Sequence, residues 1–137
     1  MSQNGTVTVQ HLEQPPAVKL VWMDGVDSGD LRAALGDLTA HLDGSDRPHY
    51  VIMDIRRDPR FPLADTVIDA LVGPFQHEKL LEWLMVGDSP AAREAECELE
   101  RLTGRSGLRW FDTHYDTLAY LNGRVQPAEA NGKVAVL

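Results

Sequence analysis

Four short segments carry side chains capable of chemistry: Asp24-Gly25, Asp54-Ile55-Arg56-Arg57, Gly87-Asp88-Ser89-Pro90 and Asp112-Thr113-His114. Carboxylates spread over several such segments could hold a hard cation such as Mg²⁺, which takes oxygen ligands. A phospho-acceptor centre of that kind also needs an adjacent acid pair and a lysine beside the last segment. Here Phe111 is followed by Asp-Thr-His-Tyr, and no acid pair accompanies Asp24. Capping is the simpler role for Asp88 and Asp112, because Asp and Ser accept hydrogen bonds from the first free amides of a helix. Gly87 and Ser89 form a candidate anion site at a helix start, although the repeated glycines and lysine of a phosphate-binding loop are missing and Asp88 would repel an anion.

Nucleophilic and metal chemistry have less behind them. Cys97 stands among Glu94, Glu96, Glu98 and Glu100, and neighbouring acids raise a thiol's pKa and blunt it. His11, His41, His49, His77 and His114 occur singly, with no His-x-x-x-His and no Cys-x-x-Cys spacing. Each reads as a surface or element-end residue, so no catalytic residue, metal or cofactor is expected. The segment that stands out is Arg56-Arg57-Asp58-Pro59-Arg60-Phe61-Pro62, which places three arginines and an aromatic in an otherwise acidic chain. Arginine and aromatic residues are enriched where proteins meet partners; a solvated loop with paired arginines is the plainer reading.

The elements that must position these residues follow from periodicity. Alternation predicts strands over Thr6–Val9 and Ala17–Met23, with Lys19, Val21 and Met23 on one face of the second. The near-continuous apolar runs Tyr50–Ile55 and Leu80–Val86 read as strands buried on both faces, and Leu108–Phe111 as a short last strand. Helical spacing of Leu31, Ala34, Leu35, Leu38 and Leu42 predicts a first helix from about Ser28 to Leu42, capped by Asp27 or Ser28. A second is expected over Leu63–Phe75, ended or bent early by Gly73-Pro74. A third runs from Pro90 to about Leu102, with Ala92, Ala95, Leu99 and Leu102 inward. A fourth covers Tyr115–Leu121, with Tyr115, Leu118, Ala119 and Leu121 inward and Asn122-Gly123 as its stop. This alternation predicts an α/β fold: a mixed, mostly parallel sheet of four to five strands flanked by four helices. Residues 1–124 are expected to form a single domain and 125–137 a C-terminal tail.

With 137 residues, 43% of them apolar and 25% charged, the chain can build a core. A net charge of −8 disfavours contact with nucleic-acid phosphates. One cysteine excludes an internal disulfide and fits a reducing compartment. No signal peptide is recognisable at the start, and no apolar run approaches the roughly 18 residues of a membrane span. A cytoplasmic location is therefore expected.

Three segments resemble the STAS-like, SpoIIAA-like domains related to bacterial anti-sigma-factor antagonists. They are Tyr50-Val-Ile-Met-Asp-Ile-Arg56, Leu84-Met-Val-Gly-Asp-Ser-Pro-Ala-Ala-Arg93 and Leu108-Arg-Trp-Phe-Asp-Thr-His-Tyr-Asp-Thr-Leu-Ala-Tyr-Leu121. The resemblance covers about Val18 to Leu121 and implies a mixed sheet flanked by helices and a role in protein–protein regulation. The antagonists that switch partners carry a phosphorylatable Ser or Thr in a turn opening the second helix. Here Phe61-Pro-Leu-Ala-Asp-Thr66 occupies that place, Asp65-Thr66 is the nearest match, and the glycine-containing motif is absent. The expected function is a non-catalytic module binding a protein partner through Arg56, Arg57, Arg60, Phe61, Asp65 and Thr66. The alternatives are a lipid or nucleotide held between the second helix and the sheet by Phe61, Leu63, Leu71 and Phe75, and a homodimer formed through an uncovered sheet face or edge, with Thr6–Val9 and Ala17–Met23 as the candidate strands.

Overall fold

Five strands form one sheet in the order β1-β2-β3-β4-β5. In the computed structural model these are β1 (Val7–Glu13), β2 (Pro16–Trp22), β3 (His49–Asp54), β4 (Leu80–Val86) and β5 (Leu108–Phe111), with helices α1 (Ser28–Gly44), α2 (Asp65–Phe75), α3 (Pro90–Thr103) and α4 (His114–Lys133). The structure describes residues 7–13, 15–23, 25, 27–57, 65–105 and 108–133, with side chains described to residue 123. β1 is antiparallel to β2, and the other neighbours are parallel. The fold is therefore α/β with a mixed, mostly parallel sheet.

Topology decides what covers each face. Successive parallel strands joined by right-handed crossovers, each added on the same side, lay their connecting helices on one face. Accordingly α1, α2 and α3 share one core with Val18, Leu20, Trp22, Val51, Met53, Ile55, Trp83 and Met85. α4 follows the last strand and returns over the opposite face. There Ala17, Ile52, Leu84, Val86 and Leu121 make a smaller buried cluster. Coverage from both sides explains the apolar runs of β3 and β4.

The helix starts follow their caps. Asp27 accepts from the Asp30 amide at 2.8 Å, and Leu31, Ala34, Leu35, Leu38 and Leu42 are buried as the stripe requires. Ser89 accepts from the Ala92 amide at 3.3 Å with Pro90 as the first residue of α3, and Gly104 at φ 70 closes the helix by donating to the Glu100 carbonyl. Thr113 accepts from the Asp116 amide at 3.0 Å to open α4.

Five expectations need correction. β1 extends to Glu13 rather than ending at Val9, because ladder pairing with β2 needs only backbone, and the polar Gln10, His11 and Glu13 suit an exposed edge. α2 passes through Gly73-Pro74 to Phe75: a proline in the last turn removes one helical hydrogen bond, and burial of Pro74 and Phe75 holds the turn. Leu102 lies on the flank of α3 and is 48% exposed, not inward. α4 continues past Asn122-Gly123 to Lys133, since Asn and Gly inside a helix cost only about 1 kcal/mol or less each. Its inward residues are Thr117 and Leu121, one turn apart, while Tyr115, Leu118 and Ala119 are exposed. Thr117 tolerates burial because its hydroxyl donates to the Thr113 carbonyl at 2.9 Å.

Candidate functional site

The α4-covered face of the sheet carries a polar group of four side chains: Lys19 within β2, Asp54 at the end of β3, Arg56 in the loop after it and His114 at the start of α4. Asp54, the last residue of β3, is only 5% exposed. Its carboxylate accepts from the Arg56 backbone amide at 3.1 Å, from Nε at 3.0 Å and from Nη2 at 2.8 Å. Lys19 of β2 pairs in register with Ile52 and so shares the face of Asp54, two residues further on. Its Nζ donates to Nδ1 of His114, the first residue of α4, at 3.0 Å.

These groups set one another's protonation. Burial pushes the Asp54 carboxyl up, but the hydrogen bonds from Arg56, with the nearby Lys19 charge, hold it below the usual carboxylate range. The same bond raises Arg56. Burial, and then the Lys19 and Arg56 charges, push His114 down against the opposing pull of Asp54. Burial and Arg56 also lower Lys19, with Asp54 opposing. The result at neutral pH is a neutral imidazole accepting from an ammonium, beside an ionised carboxylate clasped by a guanidinium. Asp54 therefore accepts three hydrogen bonds, all from Arg56, which favour its ionised form.

Gly87 lets this group assemble. Its φ of 114° lies in the region that favours glycine, and a Cβ there would come within 3.2 Å of the Arg56 amide nitrogen, Arg56 Cγ and Ile55 Cγ1. The turn after β4 thus lies directly against the loop that carries Arg56. The Gly87 amide donates to the Phe111 carbonyl at 2.8 Å, and the Ser89 hydroxyl is the α3 cap. Both candidate anion-site groups are engaged in holding the turn. Asp88 is not a cap: it is exposed and pairs with Arg93 at 3.0 Å. Arg93 in turn stacks 3.9 Å over Trp110, whose indole donates to Glu96 at 3.0 Å.

The remaining sequence-derived residues divide as follows. Arg56 and Arg57 are exposed at the loop start, and Asp65 and Thr66 are exposed in the first turn of α2. Arg60, Phe61 and Leu63 lie outside the described residues, as does Asp24. Leu71 and Phe75 are each 2% exposed and belong to the main core. Between α2, α3 and the sheet, a cavity of about 20 Å³ lined by Met53, Leu71, Trp83 and Met85 has room for about one water. Sequence reasoning missed Lys19 and His114 as partners. The available signal was a lysine inside an otherwise apolar strand, on the face that runs to Asp54.

Comparison with known proteins bears on the fold. No family model matches the chain, and no curated protein matches it. A solved structure does: an uncharacterised protein of the DUF3478 family with a SpoIIAA-like fold, from Shewanella loihica PV-4. The alignment covers 88% of this chain and 98% of that one at 16% identity, with a TM-score of 0.56. Among the described residues, no helix is long and apolar enough to cross a membrane. The five-stranded mixed sheet, the four helices and this likeness agree: the chain has a SpoIIAA-like fold.

Proposed function

We propose that the chain is a non-catalytic, cytoplasmic regulatory module that binds a protein partner through the 56–66 loop and the start of α2. One observation carries the reading: a chain of net charge −8 exposes Arg56 and Arg57 together at the loop after β3, with Lys19 of β2 close enough to Asp54 and Arg56 to feel their charges. Gly87 lies against Ile55 and Arg56, so the start of the loop is already positioned and loses less entropy on binding. Opposite charge across an interface speeds encounter and selects partners, so the partner presents acidic side chains. The neighbouring exposed Asp65 and Thr66 extend the surface along α2.

The test is affinity capture with the wild-type chain and with Arg57, Arg60 and Phe61 replaced together by alanine. A partner held by wild-type and lost by the triple variant, with unchanged far-UV circular dichroism, is the expected result. Equal recovery by both proteins rejects the surface. Native mass spectrometry of freshly purified protein separates the small-molecule alternative, in which a lipid or nucleotide would travel with the chain.

A further inference from the structure

At the opposite end of the sheet three histidines from three elements meet. His11 lies on edge strand β1, His41 in the last turn of α1 and His49 at the start of β3. The His11 and His41 ring centroids are 4.4 Å apart, and those of His41 and His49 are 5.0 Å apart in an edge-on arrangement. They border an open cleft of about 270 Å³ whose lining also includes Glu13, Ser45 and Arg47. This cluster takes no part in the charged group at the other end.

We propose that this cleft binds one borderline divalent transition-metal ion of the Zn²⁺ class, with His41 and His49 as its first two ligands. Nε2 of His41 and Nε2 of His49 are 3.4 Å apart. Two imidazole nitrogens at about 2.0–2.1 Å from a tetrahedral metal are separated by roughly 3.3–3.4 Å, so the pair already has the spacing of a shared ion. Nδ1 of His49 lies 2.8 Å from the Arg47 carbonyl and donates to it, which leaves the lone pair on Nε2 facing His41. That backbone contact is the outer-shell arrangement that fixes the tautomer of a ligating histidine.

Among the described residues no three His, Cys, Asp or Glu side chains already converge on one metal position. The nearest further donor is the exposed His11 ring, 4.4 Å from that of His41 and tilted 41° to it; a turn about its side-chain bonds would bring it in as third ligand, with solvent completing the tetrahedron. Glu13, two residues along the same face of β1, lines the same cleft as Arg47. A bound ion would tie β1 to α1 and β3, fastening the edge strand that otherwise rests on one antiparallel partner.

Isothermal titration with ZnCl₂ at neutral pH tests this on the full chain. The expected result is saturable binding of one equivalent, a rise in the thermal midpoint, and affinity reduced about tenfold or more in both His41→Ala and His11→Ala. His77→Ala, at the separate Asp43 pair, should bind like wild-type. No saturable heat from wild-type, or unchanged affinity in His41→Ala, overturns the site. Should His41→Ala lose its fold, His11→Ala decides, because its side chain is exposed on an edge strand: unchanged affinity there also rejects the proposal.

Discussion

The two faces of the sheet are built by different rules. Under α1, α2 and α3 the strands present Val18, Leu20, Trp22, Val51, Met53, Ile55, Trp83 and Met85, with every one of these side chains buried and apolar. Under α4 the strands present Lys19, Asp54, Glu82 and Arg109 beside Ile52, Leu84 and Val86. Here polar pairs do part of the packing: Arg109 pairs with Glu82 at 3.2 Å and lies 4.8 Å over the Tyr120 ring, and the Tyr120 hydroxyl donates to Glu82. Three helices can exclude water from one face, whereas a single helix leaves charged heads a route to solvent. Stability is therefore concentrated on the first face, and chemistry that a partner can recognise is concentrated on the second.

The largest expected effect tests that division. Leu35→Ala, in the three-helix core, should cost about 3–4 kcal/mol in urea unfolding. Leu121→Ala, equally buried but under α4 alone, should cost nearer 2 kcal/mol, because a helix held by few neighbours can settle into the space. Equal costs would mean that α4 is as firmly packed as the other three helices, and the comparison would fail.

Substitutions within the charged group come next. Gly87→Ala forces a side chain onto φ 114° and against the Arg56 backbone, with an expected loss of about 1–3 kcal/mol. Asp54→Asn keeps the shape but removes the charge that Arg56 clasps. With Arg56 about half exposed, able to turn to water, the expected loss is about 1–2 kcal/mol. Both should also displace Arg56, so both should weaken partner capture even where the fold survives. Undiminished capture by Asp54→Asn would separate the binding surface from this group.

What could be read from the sequence follows the same division. β4 and β5 were legible to the residue, and the α1 stripe in full, because apolar period and caps are local properties. On the inward side of α4 only Leu121 was legible, since Thr117 is hidden by a hydrogen bond to its own helix while the apolar Tyr115 points to water. The loop arginines announce themselves by composition, yet the role of Arg56 depends on Asp54, and the role of His114 depends on Lys19, 95 residues away. The histidine cluster is invisible for the same reason. His11, His41 and His49 have no ligand spacing in sequence and meet only because β1 pairs alongside β2 and α1 packs over both.

The smallest effect is a pH dependence that distinguishes the two ends. His114 and His41 both have folded pKa values below the ordinary 6.5, so the unfolded chain binds more protons as the pH falls past that value. Their contribution to stability is complete above about 6.5 and declines as the pH drops through it. Asp54, lowered from 3.8, contributes at all pH values above that and is lost only in stronger acid. Urea midpoints should therefore fall in two steps on acidification, the first from imidazoles and the second from the carboxylate. Physically, a protonated His114 can no longer accept from Lys19 and instead repels it, whereas a protonated His41 repels His11 and His49. His114→Gln and His41→Gln should each flatten part of the first step and leave the second in place. If the first step were untouched in both variants, the lowered imidazoles would not be what couples folding to pH. If only His41→Gln flattened it, the acid sensitivity would belong to the histidine end alone, and Lys19 would be solvated well enough to tolerate an imidazolium beside it.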